Sequence, residues 1–198
     1  MHIEFLLEDS SGEKLVAQLL PKILGVHGEK HTWRLKSYKG IGRIPPGLSA
    51  KADPAKRILL DRLPRLLQGY GRTPGIDAVV VVLDTDRRDC KEFLHELTSL
   101  AYKCNPMPHT LFRLAIEEIE AWYLGDRDGL LEAYPNAKRD VLDRYVQDSV
   151  CNTWELLADA VHKGGVAAIK KAGWPLAGDI KHEWAEKITP FMNINRNK

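Results

Sequence analysis

Two carboxylates follow directly after a hydrophobic run, and their type and spacing suit metal or phosphate chemistry. Residues 79–83 are four valines and a leucine, and Asp84-Thr85-Asp86 comes next. An unbroken apolar run of this kind predicts a strand that is buried on both faces of a parallel sheet. Ligands bind at the carboxyl ends of such strands, and carboxylate oxygens suit magnesium or manganese. We therefore expect Asp84 and Asp86 to be catalytic and metal-binding residues, although an aspartate at a strand end also favours turns.

Glu8 occupies the same place after an earlier and mainly apolar run, residues 3–7. Ser10 and Glu13 have the spacing of a capping box, which predicts that a helix starts there and extends to Gly25. Since these two residues would cap the helix, Glu8 is not needed for that purpose. The sequence favours Glu8 as a third catalytic and metal-binding residue, and a solvated loop carboxylate is the alternative.

A further acidic cluster follows a strand that the sequence predicts over 110–116. Glu117, Glu118 and Glu120 lie there within four residues. We expect Glu118 and Glu120 to be additional metal ligands. The alternative is that these acids lie in the first turn of a helix, where the helix dipole favours them.

Strands and helices alternate over the first part of the chain, and this alternation would position the acids. The pattern predicts a half-exposed strand over 31–38 and a helix that begins at Asp53-Pro54. Another helix is predicted over 89–104. This order predicts a mainly parallel, Rossmann-like α/β sheet flanked by helices. After about residue 125 only short helical segments are predicted, the last over 181–188. We therefore divide the chain into an α/β core at 1–125 and a helical extension at 126–198.

Composition and charge limit the classes of protein to which this chain can belong. The 198 residues are 44% hydrophobic with a formal net charge of +2, as in globular proteins. Residues 30–72 nevertheless contain eleven lysines and arginines against two aspartates, which fits either a nucleic-acid footprint or solvated surfaces. No run approaches the ~20 apolar residues of a membrane span, and the first residues lack signal-peptide features. We therefore expect a cytoplasmic protein without membrane association.

The order of these motifs resembles the Toprim domain of topoisomerases, primases, small ribonucleases and OLD-type nucleases. The resemblance rests on the strand before Glu8, the later strand before Asp84-Thr85-Asp86 and the βαβ order between them, with Asp9 where many Toprim domains have glycine. Over the whole chain, including residues 116–122 and 142–148, the sequence resembles a bacterial family of small, uncharacterised Toprim-like proteins. Such proteins are often encoded beside an AAA or ABC-type ATPase in phage-defence settings.

This resemblance implies a function and roles for particular residues. It implies a Toprim-like fold and metal-dependent phosphodiester hydrolysis, that is, a nuclease. Asp84 and Asp86 would bind Mg²⁺ or Mn²⁺, and Glu8 would act as general acid/base or as a ligand of a second metal. The implied partners are DNA or RNA and an ATPase, with a role as a phage-defence effector. The candidates for contacts with nucleic acid are Lys39, Arg43, Arg87 and Arg88.

Other functions stay open. The Asp-x-Asp pair also suits a HAD-type phosphatase, although that motif usually lies on the first strand and has Thr or Val where Arg88 stands. It also suits a sugar-nucleotide transferase, for which the chain is short. A non-catalytic Toprim-like regulatory or toxin subunit is a further alternative. In that case the tail tryptophans Trp154, Trp174 and Trp184 would form an interface, whereas otherwise they would lie in the core.

Overall fold

A computed structural model describes residues 1–45, 56–149 and 152–196. Within these residues four strands form one sheet: β1 (His2–Leu7), β2 (Thr32–Ser37), β3 (Ala78–Asp84) and β4 (Thr110–Ala115). All neighbouring strands pair in parallel, in the order β2-β1-β3-β4. The protein therefore has an α/β fold with a parallel, Rossmann-like sheet, which confirms the prediction from the alternating pattern.

Helices cover both faces of this sheet. The first, α1 (Ser10–Leu24), packs on one face, whereas α2 (Leu59–Gly71) and α3 (Cys90–Tyr102) pack on the other. The chain runs from β1 outward to β2, passes back over β1 to β3 and continues to β4 on the opposite side. The strand order thus reverses between β1 and β3, and ligand sites of such sheets form in the crevice at that point, outside the carboxyl ends of the strands.

The pleat of the two central strands explains their composition. Successive side chains of a strand point to opposite faces, so Leu6 and Val81 pack against α2 and α3, while Phe5, Leu7 and Val82 pack on the α1 side. Because β3 has neighbours on both edges and helices on both faces, it has no solvated side. This is why the sequence there is an unbroken apolar run.

The rest of the chain is helical and packs on the α1 face. No strand follows β4 in the described residues, as predicted. One apolar cluster joins the sheet, α1 and these helices, so the C-terminal region shares its core with the sheet. The helices are α4 (Ala121–Gly125), α5 (Arg127–Ala133), α6 (Arg139–Leu142), α7 (Thr153–Val161), α8 (Gly165–Ala172) and α9 (Trp174–Ile188), followed by a 3₁₀ turn at Thr189–Phe191.

Several element boundaries differ from the predictions. The prediction of Ser10 as the cap of α1 is wrong, because the carboxylate of Asp9 accepts the Gly12 N–H at 2.7 Å. The acids after β4 precede α4 rather than forming its first turn. The last helix begins at Trp174, seven residues before the predicted start. The predicted start at Asp53-Pro54 lies outside the described residues. No helix in the described part of the chain is long and apolar enough to cross a membrane.

Candidate active site

Glu8 and Asp84 meet at the point where the strand order reverses. Glu8 follows β1, and Asp84 is the last residue of the neighbouring β3. The Asp84 backbone N–H donates to Glu8 Oε2 at 3.5 Å. In β3, Asp84 shares its face with Val82 and so points towards the layer of α1 and the C-terminal helices. The two residues that the sequence placed at separate strand ends are therefore neighbours in the fold.

The electrostatics show how crowded these carboxylates are. Burial raises the pKa of Glu8 to about 7, repulsion from Asp86 and Asp9 adds to the effect, and the bond from the Asp84 N–H partly opposes it. Burial also raises the pKa of Asp84 well above its usual range, with Glu8 and Glu120 as the next causes. Perturbed carboxylates in a cleft are characteristic of functional sites, so these two residues are the centre of the candidate site.

Asp86 lies beside this pair in a strained backbone conformation. The φ of Asp86 is +50°, and the φ of Glu117, which follows the neighbouring strand β4, is +69°. Both angles lie in the left-handed region that non-glycine residues rarely adopt. Hydrogen bonds hold both in place: Asp86 N–H donates to Glu117 O at 2.7 Å, and Glu117 N–H donates to Thr85 Oγ1 at 2.7 Å. Strain of this kind concentrates at functional sites. The buried Thr85 hydroxyl thus ties the Asp-Thr-Asp turn to the end of β4.

Glu120 faces a lysine that the sequence gave no reason to select. The Glu120 side chain is 1% exposed, and its Oε1 accepts from the Lys181 ammonium at 3.0 Å. Burial raises the pKa of Glu120 in spite of Lys181. Burial lowers the pKa of Lys181, but Glu120 outweighs that effect and the net pKa is raised. Lys181 also interacts electrostatically with Glu8, Asp84 and Asp86, so it is the shared countercharge of the site.

Glu118 has a structural partner instead. Its Oε2 accepts from Thr153 Oγ1 at 2.9 Å and from the Trp154 backbone N–H at 3.0 Å. Both donors belong to the first turn of α7. The N-cap residue of that helix, Asn152, provides no side-chain cap bond, so Glu118 caps α7 from a distant part of the chain. Its charge still contributes to the raised pKa of Asp86, for which burial is the larger cause.

The predicted cationic contacts lie on the two segments that follow β2 and β3. Lys39 directly follows Tyr38 beyond β2, and the next N–H, that of Gly40, donates to the Glu8 carbonyl at 3.0 Å. Arg87 and Arg88 line a cavity of about 410 Å³ together with Asp86, and the Arg88 guanidinium lies 4.5 Å from the centre of the Phe93 ring. Arg43 is held at the backbone, where its N–H donates to Asp61 Oδ1 at 3.1 Å.

The donor chemistry of the site suits a hard divalent cation. The buried Oε2 of Glu120 has no hydrogen-bond partner, and the carboxylates around it outnumber Lys181, the partly buried cation that pairs with Glu120. Among the described residues, no three His, Cys, Asp or Glu side chains lie close enough to hold one ion. Magnesium is commonly bound by only one or two carboxylates, with water and substrate phosphates completing its shell. A cation held by these carboxylates would therefore need water or a phosphate to complete its shell.

Fold and site together define an α/β protein with a carboxylate cluster at the reversal point of a parallel sheet. Comparison of the chain with models of known protein families, with curated proteins and with solved structures finds no match in any of the three.

Proposed function

We propose that this protein is a divalent-metal-dependent phosphodiesterase of the Toprim-like kind, a nuclease, with its active site at the reversal point of the sheet. The observation that carries the proposal is the meeting of Glu8 and Asp84 beside Asp86, with raised carboxylate pKa values. Mutual repulsion makes such a cluster costly, and Lys181 supplies one positive charge against several acids, so a bound divalent cation would stabilise it.

Each residue has a role that follows from its position. Asp84 and Asp86 would hold Mg²⁺ or Mn²⁺, which neutralises developing charge on a phosphoryl group and activates or positions the attacking oxygen when bound. Glu8, with a pKa of about 7, can accept and return a proton near neutral pH. Arg87 and Arg88, in the adjoining cavity, are suited to contact a phosphate. Lys181 would limit the repulsion among the acids.

The substrate and setting follow from the same proposal. The arginines and Lys39 at the rim favour a polyanionic substrate, DNA or RNA. The resemblance to Toprim-like proteins encoded beside AAA or ABC-type ATPases supports action with an ATPase partner in phage defence.

One observation favours a second candidate, a non-catalytic Toprim-like module. Lys181 already places a positive charge among the acids, and its ammonium is 3.0 Å from Glu120 Oε1. A lysine in this position could balance the cluster permanently. The site would then be structural, and the protein would act as a regulatory or toxin subunit.

Cleavage of labelled DNA and RNA in Mg²⁺ or Mn²⁺, alone and with a candidate ATPase, tests the two proposals. Asp84→Asn and Asp86→Asn should each lower the rate by roughly 100-fold or more, since a metal ion contributes several kcal/mol to such reactions. Glu29→Gln is the matched control, because Glu29 is an exposed acid in the loop before β2. This loop lies at the amino-terminal ends of the strands, opposite the candidate active site.

Binding of Mn²⁺ measured by calorimetry separates the outcomes further. Binding by the wild type that Asp84→Asn removes would support the enzyme. No cleavage under any condition together with no metal binding would reject the nuclease. It would favour the non-catalytic module, in which Lys181 balances the charge of the acids.

A further inference from the structure

Trp174 is exposed to an unusual degree for a tryptophan. It begins α9 and is 76% exposed, whereas Trp154 and Trp184 are buried in the core. The centre of the Trp174 ring lies 6.2 Å from that of Trp154, and the two ring planes are tilted by 38°. Large aromatic side chains dominate the energetics of recognition. A ring that the fold leaves open in this way is therefore a candidate for ligand contact.

The face of α9 that carries Trp174 forms one side of a groove. Trp174, Gly178 and Lys181 follow each other at helical spacing and line a cavity of about 180 Å³ together with the start of α1. A Cβ at Gly178 would meet nothing within 4 Å, so this glycine leaves the groove open. His182 closes the far side, where its Nε2 lies 2.8 Å from Ser10 Oγ.

This groove adjoins the candidate active site. Lys181 lines the groove and pairs with Glu120 at 3.0 Å. Asp9, on the opposite wall, directly follows Glu8. Seven residues of helix separate Trp174 from Lys181, a rise of about 10 Å, which corresponds to about three nucleotides of a stacked strand.

The charge around the groove suits a polyanion. Between Lys163 and His182 the chain contains four lysines and a single acid, Asp179. Lys170 also lines the cavity on the other side of Trp174, where it pairs with Glu155 Oε1 at 3.3 Å, and Lys171 is exposed beside it. An open aromatic ring between cations is the arrangement by which proteins bind single-stranded nucleic acid, with bases stacked on the ring and phosphates near the cations.

We propose that Trp174 is a stacking platform for an unpaired base, and that single-stranded DNA or RNA enters the active site along the groove formed by Trp174, Gly178 and Lys181. This inference rests on the proposed nuclease function and gives its substrate class. A protein partner is the less favoured occupant, because among the described residues of α8 and α9 Leu176 is the only other large hydrophobic side chain that is exposed, at 37%. A single ring among lysines suits a base better than a protein interface.

Fluorescence anisotropy with labelled single-stranded DNA, single-stranded RNA and duplex DNA tests this inference. All variants carry Asp84→Asn, so that cleavage does not interfere. Trp174→Ala should weaken single-strand binding roughly 10-fold or more, and Trp174→Phe should restore most of it. Trp174→Ala should leave the affinity for duplex DNA unchanged. The dependence of affinity on salt should keep its slope, because no phosphate contact is removed.

Two controls match the variants. Tyr102→Ala removes an equally open aromatic ring, 73% exposed, at the end of α3 and the opposite edge of the sheet. Gly178→Leu should block the groove while leaving Trp174 in place, and Gly69→Leu changes another open helical glycine, in α2. The two controls, Tyr102→Ala and Gly69→Leu, should bind single strands as tightly as the parent protein does.

Each outcome bears on the inference. Equal affinity of Trp174→Ala and Tyr102→Ala for single strands would overturn it, as would equal losses for single strands and duplex. Binding that depends on Trp174 in a protein whose wild type neither cleaves nucleic acid nor binds Mn²⁺ would support the platform and reject the nuclease. Cleavage by the wild type with no effect of Trp174 would support the nuclease and reject the platform.

Discussion

At the scale of single residues, the raised pKa of Glu8 makes its ionisation oppose folding. Its pKa is about 7 in the folded protein against 4.5 when unperturbed, so the folded state holds the proton more strongly than the unfolded chain. The free energy of unfolding therefore falls as pH rises from about 4.5 to about 7 and stays low above that range. Glu8→Gln should stabilise the metal-free protein by up to about 3 kcal/mol at pH 8, and much less at pH 5.

Urea unfolding in EDTA at the two pH values measures this effect. The exposed acid variant Glu29→Gln provides the reference and should leave the pH dependence unchanged. An equal gain for Glu8→Gln at pH 5 and pH 8 would show that folding does not raise the pKa of Glu8, and would remove its assignment as a base near neutral pH.

Lys181 and Glu120 should be strongly coupled in stability. Removing one partner of a buried ion pair leaves the other charge uncompensated, at a cost of about 3–5 kcal/mol. Lys181→Met alone should therefore destabilise more than Lys181→Met combined with Glu120→Gln. A double-mutant cycle of unfolding free energies measures the coupling. Additive effects of the two substitutions would contradict the pairing.

At the scale of elements, the cap that Glu118 provides to α7 explains the position of this acid without a metal. Glu118→Ala should cost about 1 kcal/mol, the usual loss for a helix cap. Glu118→Gln keeps an acceptor oxygen for Thr153 and the Trp154 N–H, so it should retain most of the stability. Thermal unfolding gives both values. If Glu118→Gln instead abolished Mn²⁺ binding at unchanged stability, Glu118 would be a ligand as well as a cap.

The elements also show which predictions local sequence can support. The strand at 78–84 and its terminal Asp pair could be predicted, because a fully buried strand and its end leave a local pattern. The cap of α1 could not be assigned correctly, since Asp9 and Ser10 are adjacent and both residue types cap helices. The roles of Glu118 and Lys181 depend on partners 35 and 61 residues away. No local pattern reports such contacts.

At the scale of the whole molecule, the helices after β4 complete the core of the sheet. A division near residue 125 was predicted from the change in pattern, yet α9 lies along α1, where the Gln18 side-chain amide donates to the Ala185 carbonyl at 2.8 Å and Lys22 donates to the Thr189 carbonyl at 2.8 Å. The same packing brings Lys181 into the candidate active site. Pattern changes along a chain show where secondary structure changes, but not whether the two parts share one core.

This shared core predicts that the protein unfolds as one unit. Trp184 in α9 is 2% exposed and belongs to the cluster that includes the sheet, so Trp184→Ala should cost about 3–5 kcal/mol. Its unfolding transitions by near-UV and far-UV circular dichroism should move together to lower urea concentration. Trp174→Ala removes a tryptophan from the same helix at an exposed site, and its stability should stay within about 0.5 kcal/mol of wild type.

If Trp184→Ala instead separated the two transitions, the helical region would fold independently of the sheet. Lys181 would then be held in the site by docking of that region rather than by a common core.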